Sequence, residues 1–149
     1  MPEHAEPIAT GQRLAAALHW LALLGLCSAY LQGGLNKALD FEGAVREMQH
    51  FGLAPAGPLA LATIALELIA PLMILTGWQR GLAAWMLAGF TVAATLVANR
   101  YWLLPLPERL QIANAFYEHL GLVGGFVLVA LQDARSSSSI SSQSKAPAI

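Results

Sequence analysis

The sequence predicts an all-α integral membrane protein, a four-helix bundle with a short amphipathic segment between helices one and two. Three observations lead there. Of 149 residues, 56% are hydrophobic and 11% charged, less than half the charged share of an ordinary soluble domain. Four apolar segments stand out, each near the ~20 residues that cross a bilayer's hydrocarbon. The alternating pattern of a membrane barrel strand is absent, and an isolated strand in lipid would leave its backbone groups unsatisfied. A net charge of -1 offers no field for nucleic acid, so the expected partner is the lipid bilayer.

The first span is expected over about 14–35, entered through "ATGQR" with Thr10 as its N-cap and residues 1–12 as a leading segment. The Arg13-led apolar run of 13–31 exceeds the ~7–15 residues of a signal h-region, so it reads as a retained helix. "LLGLC" is no lipoprotein box, because bulky Leu26 stands where a small residue is needed. Between the first two spans, Leu39, Ala44, Val45, Met48 and Phe51 form a helical stripe with Asp40, Glu42, Arg46 and Glu47 around it. That pattern predicts a short amphipathic helix at the interface or capping the bundle.

The second span is expected over about 58–76 and the third over about 82–98, joined by "GWQRG" in a tight antiparallel hairpin. In "NRYWLLPLPERLQ", Tyr101 and Trp102 suit an interfacial belt, and two prolines forbid a continuous helix. The fourth span is expected over about 112–131, closing a transmembrane domain of 13–133. The serine-rich 134–149 has little to bury and reads as a disordered tail. Four spans put both termini on one side with Arg13, Arg80, Arg135 and Lys145, against Lys37, Arg46, Arg100 and Arg109 opposite. Short loops weigh most in the positive-inside rule, and Arg13 with the Arg80 turn favours cytoplasmic termini.

Small residues are the expected seams between such helices. The first span offers Gly25, Ala29 and Gly33; the third, Ala84, Ala88, Gly89 and Ala93; the fourth, Gly121 and Gly125.

The residues able to carry chemistry are few. Glu67 lies near the middle of the second span, where a lone charge costs about 2.5–3.5 kcal/mol on insertion scales. Pro71, four residues on, cannot donate to the Glu67 carbonyl, so an acid and a freed acceptor share one depth. Two readings stand for Glu67: a polar fastening between helices, or a proton or ligand site. In the fourth span, Asn114, Glu118, Gly121 and Gly125 share a face, which points Glu118 inward. His119 projects about 100° away and is expected in the headgroup layer; the other reading makes it a proton relay with Glu118. Lys37 and Arg80 read as snorkelling cations, and Arg100 as an interfacial anchor or an inward partner for Glu118. These three are also the candidate cofactor contacts. His19 either meets a neighbouring helix or lies near the headgroups. Cys27, the single cysteine, excludes an intrachain dithiol and reads as a small buried hydrophobe. No phosphate loop and no histidine pair at metal-ligand spacing is present, so no metal site is expected.

The run "ELIAPLMILTGWQRGLAAWMLAGF", with Glu67, Gly77, Arg80, Ala83 and Ala84, resembles the DoxX family of small four-span bacterial membrane proteins. "GGLNKAL" with Lys37 and "FYEHLGLVGGFVLVALQDAR" are similar too, so the likeness covers roughly 13–133. Two departures stand out. Where members often carry a His near the end of the third span, this chain has Asn99, Arg100 and Tyr101; Pro71 replaces a usual glycine. The resemblance implies a bacterial inner-membrane protein with cytoplasmic termini, associated with quinone-linked redox processes and soluble redox partners. Quinone is the implied cofactor, and Glu67, Glu118 and His119 are the expected members of a buried polar or proton-handling site. A small proton-coupled transporter and a non-catalytic scaffold for redox partners are the alternatives.

Overall fold

The computed structural model describes residues 6–144, with side chains from 10 to 136. The ends of the leading segment and of the tail, Lys145 included, lie outside the described residues. Five α-helices follow in order: α1 (Glu6–Leu39), α2 (Phe41–His50), α3 (Ala56–Thr76), α4 (Arg80–Ala98) and α5 (Glu108–Ser144). One turn of 3-10 helix at Tyr101–Leu103 precedes α5. Four of the helices are long and apolar enough to cross a membrane, α1, α3, α4 and α5. The fold is the all-α four-span bundle that the composition predicts, with no strand among the described residues.

The large apolar side chains face outward. Leu14, Leu18, Ile69, Leu72, Trp85, Leu96 and Leu128 are all exposed. The buried residues include small ones, Cys27, Ala60, Ala70, Ala83, Ala84 and Ala88, with Phe126 the largest fully buried side chain. That inversion suits lipid, which gives helices no hydrophobic reason to associate and leaves close packing to hold them. The spans form a ring in the order α1, α3, α4, α5. α1 returns to α5 through Leu26 beside Gly125 and an edge-on contact of Tyr30 with Phe126, 5.3 Å between centroids. Aromatic side chains mark both ends of α4: exposed Trp78 at one, and the Tyr101, Trp102, Phe116 and Tyr117 cluster at the other.

Several boundaries differ from the sequence expectation. α1 starts at Glu6, so Thr10 lies inside the helix rather than capping it. Pro7 falls in that first turn, where its missing N–H costs no bond. α1 also runs past 35 to Leu39, and the chain breaks only at Asp40, whose carboxylate accepts from the Gly43 N–H at 2.9 Å to cap α2. α2 lays Ala44 and Met48 on Ala60 and Ile64 of α3. α3 passes through the buried Pro71 without a break and ends at Gly77, whose φ of 81° is a left-handed stop that glycine adopts freely. α5 starts at Glu108, just after Pro107, and is described as helix to Ser144, which takes in the start of the serine run. At its side-chain-described edge, the Ser136 hydroxyl bonds the Gln132 carbonyl, a local bond compatible with helix.

The seams also differ in part. Ala84 and Ala88 are buried, but a Cβ at Gly25, Gly89 or Gly121 would meet nothing within 4 Å. Tight approaches are at the expected Gly125, where a Cβ would lie 2.9 Å from Leu26 Cδ1, and at Gly34, where it would lie 2.9 Å from Leu68 Cδ2 and 3.0 Å from Glu67 Cβ. α4 gains its first-turn partner from α5: the Gly81 N–H donates to Asp133 Oδ2 at 3.0 Å. A carboxylate there also complements the positive helix end.

Candidate functional site

The site grows from Glu67. It is 6% exposed, one of the buried polar residues of the bundle. Both its oxygens accept from one ammonium: Lys37 Nζ stands 3.1 Å from Oε1 and 3.0 Å from Oε2. Lys37 reaches it because side chains on a helix tilt toward the N-terminus, carrying the stem from the last turn of α1 back into the bundle. Gly33, one turn earlier, leaves the path open. A Cβ there would lie 3.5 Å from Glu67 Oε2 and 3.6 Å from Lys37 Nζ. Each charge alone is costly at this depth; together they offset much of the desolvation through a doubly bonded contact. An ammonium has three donors, and Glu67 takes two of the three here.

The pair lies on the wall of a cavity of about 430 Å³ among all four spans and α2. Ala29, Gly33, Ala93, Ala94 and Ala98 keep the space open, while Phe90, Val97 and Leu122 make its sides apolar. Met48, Phe51 and Leu53, from α2 and the loop after it, line the same space, with Glu47 beside them. The polar remainder comes from Tyr30, Thr63, Thr91 and His119.

A second polar array runs down α4. Thr91, Thr95 and Asn99, one turn apart, are all buried. The Thr91 hydroxyl donates to the Leu87 carbonyl at 2.6 Å, so Tyr30 is the donor in its 2.5 Å contact with Thr91 Oγ1. The Thr95 hydroxyl donates to the Thr91 carbonyl at 2.6 Å. His119 Nδ1 from α5 meets this stripe, 2.7 Å from Thr95 Oγ1 and 3.1 Å from Asn99 Nδ2.

The candidates of the sequence are thus divided. Glu67, Lys37 and His119 line one cavity; Glu118, Arg80 and Arg100 do not. Glu118 is exposed, because α5 packs through the stripe of His119, Leu122, Phe126 and Ala130 rather than the glycine stripe. It stands one residue from the level of Asn99, just past the end of α4, where a carboxylate can reach headgroups. His119 turns inward instead of lying in that layer. Arg100 is exposed too, its Nε donating to the Val97 carbonyl at 3.2 Å, and makes no contact with Glu118. Arg80 works at the other end of the bundle. Its Nε donates to the Ile74 carbonyl at 2.9 Å, closing α3, and it borders a separate polar recess of about 470 Å³ with His19, Gln132 and Asp133.

A family profile described as DoxX matches residues 13–100, more than half of the chain. The chain belongs to the DoxX family. This DoxX match takes in α2 and α3, all but the start of α1, and α4 to its end, hence Lys37, Glu67, Thr91, Thr95 and Asn99; His119 lies beyond it. Comparison with curated proteins gave no match, and comparison with solved structures gave none. With four spans and this family, it is a multi-pass membrane protein.

Tyr30 and Thr95 were not singled out from the sequence, Glu47 entered only as a polar residue of the amphipathic segment, and Asn99 only as a departure from the family's usual His. A signal for two of them exists: Thr91, Thr95 and Asn99 recur every four residues in an apolar helix. Polar residues at that spacing inside a span face protein, not lipid.

Proposed function

We propose that this DoxX protein is a membrane subunit in a quinone-linked redox process, holding a quinone-type lipophile in its central cavity. The observation that carries the reading is the cavity of about 430 Å³, apolar over most of its wall, with a charged pair inside it. Small-molecule sites have this form and size: apolar walls with few, well-placed polar groups. The residues fit such a ligand. Alanines and Gly33 leave room for a flat ring, and Lys37 has a third N–H for a carbonyl oxygen. A bound quinone would supply the redox chemistry that the chain, with one buried cysteine, lacks in its own side chains. Glu67 aims Lys37 through both carboxylate oxygens and is the counter-ion of the site. Met48, Phe51 and Leu53 shield the cavity where α2 meets it.

Purified in mild detergent and extracted with solvent, the protein is expected to yield a redox-active lipophile in near-stoichiometric amount. A reproducibly empty extract, with proton flux from the protein in proteoliposomes, would replace this reading with the transporter one.

For orientation we propose the bacterial inner membrane with cytoplasmic termini, supported by Arg13 and Arg80 at that end. A cysteine placed at exposed Gln49 should then react with an impermeant maleimide in intact cells, and one at Gly11 should not. The reverse labelling pattern would invert the topology.

A further inference from the structure

The geometry points to His119 as the group that exchanges a proton or hydrogen bond with the cavity ligand, with Thr95 and Asn99 as its positioning residues. This rests on the reading of the cavity as a ligand site. The imidazole is held by one nitrogen. Nδ1 has two polar neighbours, Thr95 Oγ1 at 2.7 Å and Asn99 Nδ2 at 3.1 Å. Among the described residues Nε2 has no protein partner, and none of their side-chain nitrogens or oxygens is both fully buried and unpartnered. Nε2 is therefore accessible, on a residue that lines the cavity.

The two neighbours of Nδ1 ask for opposite things. Because the Thr95 hydroxyl donates to the Thr91 carbonyl, it shows Nδ1 a lone pair and favours a proton there. The Asn99 amide nitrogen offers Nδ1 a hydrogen and favours a bare nitrogen. Each neutral tautomer thus has a partner ready. With the proton on Nδ1, Nε2 is a base; with it on Nε2, the ring is a donor. Which form prevails follows from the hydrogen bond made by the other nitrogen. When a ligand hydroxyl meets the base form, its O–H bond breaks and an Nε2–H bond forms. The ring becomes a cation whose Nδ1–H stays on Thr95, and the ligand oxygen keeps the negative charge. The reverse step returns the proton. When a ligand carbonyl meets the donor form, it accepts from Nε2–H and no proton moves. The ligand class is accordingly a lipophile whose polar oxygens alternate between carbonyl and hydroxyl.

The test uses the full-length protein, 15N-labelled at histidine, in lipid nanodiscs. The chain has four histidines, and His119→Gln identifies the pair of signals by their loss. The probe is a decyl-substituted 1,4-benzoquinone and its hydroquinone form. Hydroquinone is expected to move the His119 signals toward a protonated Nδ1, and quinone toward the Nε2–H tautomer with Nδ1 bare. Thr95→Val removes the acceptor for Nδ1–H, so the ligand-free tautomer ratio should shift toward Nε2–H. Hydroquinone binding should weaken about tenfold, the scale of one lost hydrogen bond. Thr95→Ser should restore both. Should Thr95→Val fail to fold, Asn99→Leu should shift the ratio the opposite way. An unmoved Nε2 signal with the probe bound, or an unchanged ratio in these variants, overturns the assignment and leaves the cavity reading standing. A probe that fails to bind the wild type overturns the quinone reading, while the ligand-free ratio still decides the role of Thr95.

Discussion

At the scale of residues, the unit that matters is a pair. Glu67 alone in mid-span would be an expensive acid; Lys37 alone would be a cation tethered to a helix end. Joined by two contacts of 3.0 and 3.1 Å, they become one buried zwitterion. Removing one partner leaves the other exposed to a medium that cannot solvate it. Lys37→Met is therefore expected to destabilise the bundle by about 3–5 kcal/mol, and Glu67→Gln by a similar amount. The double variant should recover most of that loss, because neither charge remains. Unfolding in a defined detergent measures all three. Additive losses in the double variant would show that the two side chains act independently. Glu67 was legible in the sequence as a site of interest, its partner was not. Lys37 looked like an end-of-helix cation because the apolar run fades near Leu35, whereas the backbone stays helical to Leu39 and turns the lysine inward.

At the scale of elements, the number and order of helices could be read from apolar run length, and so could the hairpin of α3 and α4. The rotation of each helix could not. Glycine spacing suggested Gly25 and Gly121 as seams, yet neither would meet a neighbour. Small residues are common in any Gly- and Ala-rich span, so their spacing marks several possible faces. What chooses among them here is polar satisfaction: His119 turns toward Thr95 and Asn99, and Glu118 is carried outward by the same rotation. The decisive approach is that of Gly34, on α1, to Glu67 Cβ and Leu68 of α3. Gly34→Val should cost about 1–3 kcal/mol by overpacking that contact. Gly25→Val should be nearly neutral, since nothing stands within 4 Å of its Cβ position. Thermal unfolding of the two variants side by side separates them. Equal effects would mean that α1 packs with a different face.

At the scale of the whole molecule, the bundle divides into two ends with different work. Toward the termini it is closed by local bonds, Arg80 to Ile74 and Asp133 to Gly81. Toward α2 it opens into a cavity that small side chains keep clear and that Lys37, Glu67 and His119 make polar at chosen points. Lipid around and an apolar slot within suit a ligand that reaches its site from the bilayer. The composition made the membrane legible at once; the cavity was hidden, because it depends on where α1, α3, α4 and α5 leave room. The most direct measurement is equilibrium binding of decyl-substituted 1,4-benzoquinone to the wild type and to Ala94→Phe, a change that fills the cavity and spares every polar group in it. The account predicts saturable binding to the wild type and at least a roughly tenfold loss in the variant. Equal affinity in both, or no saturable binding to the wild type, would contradict it.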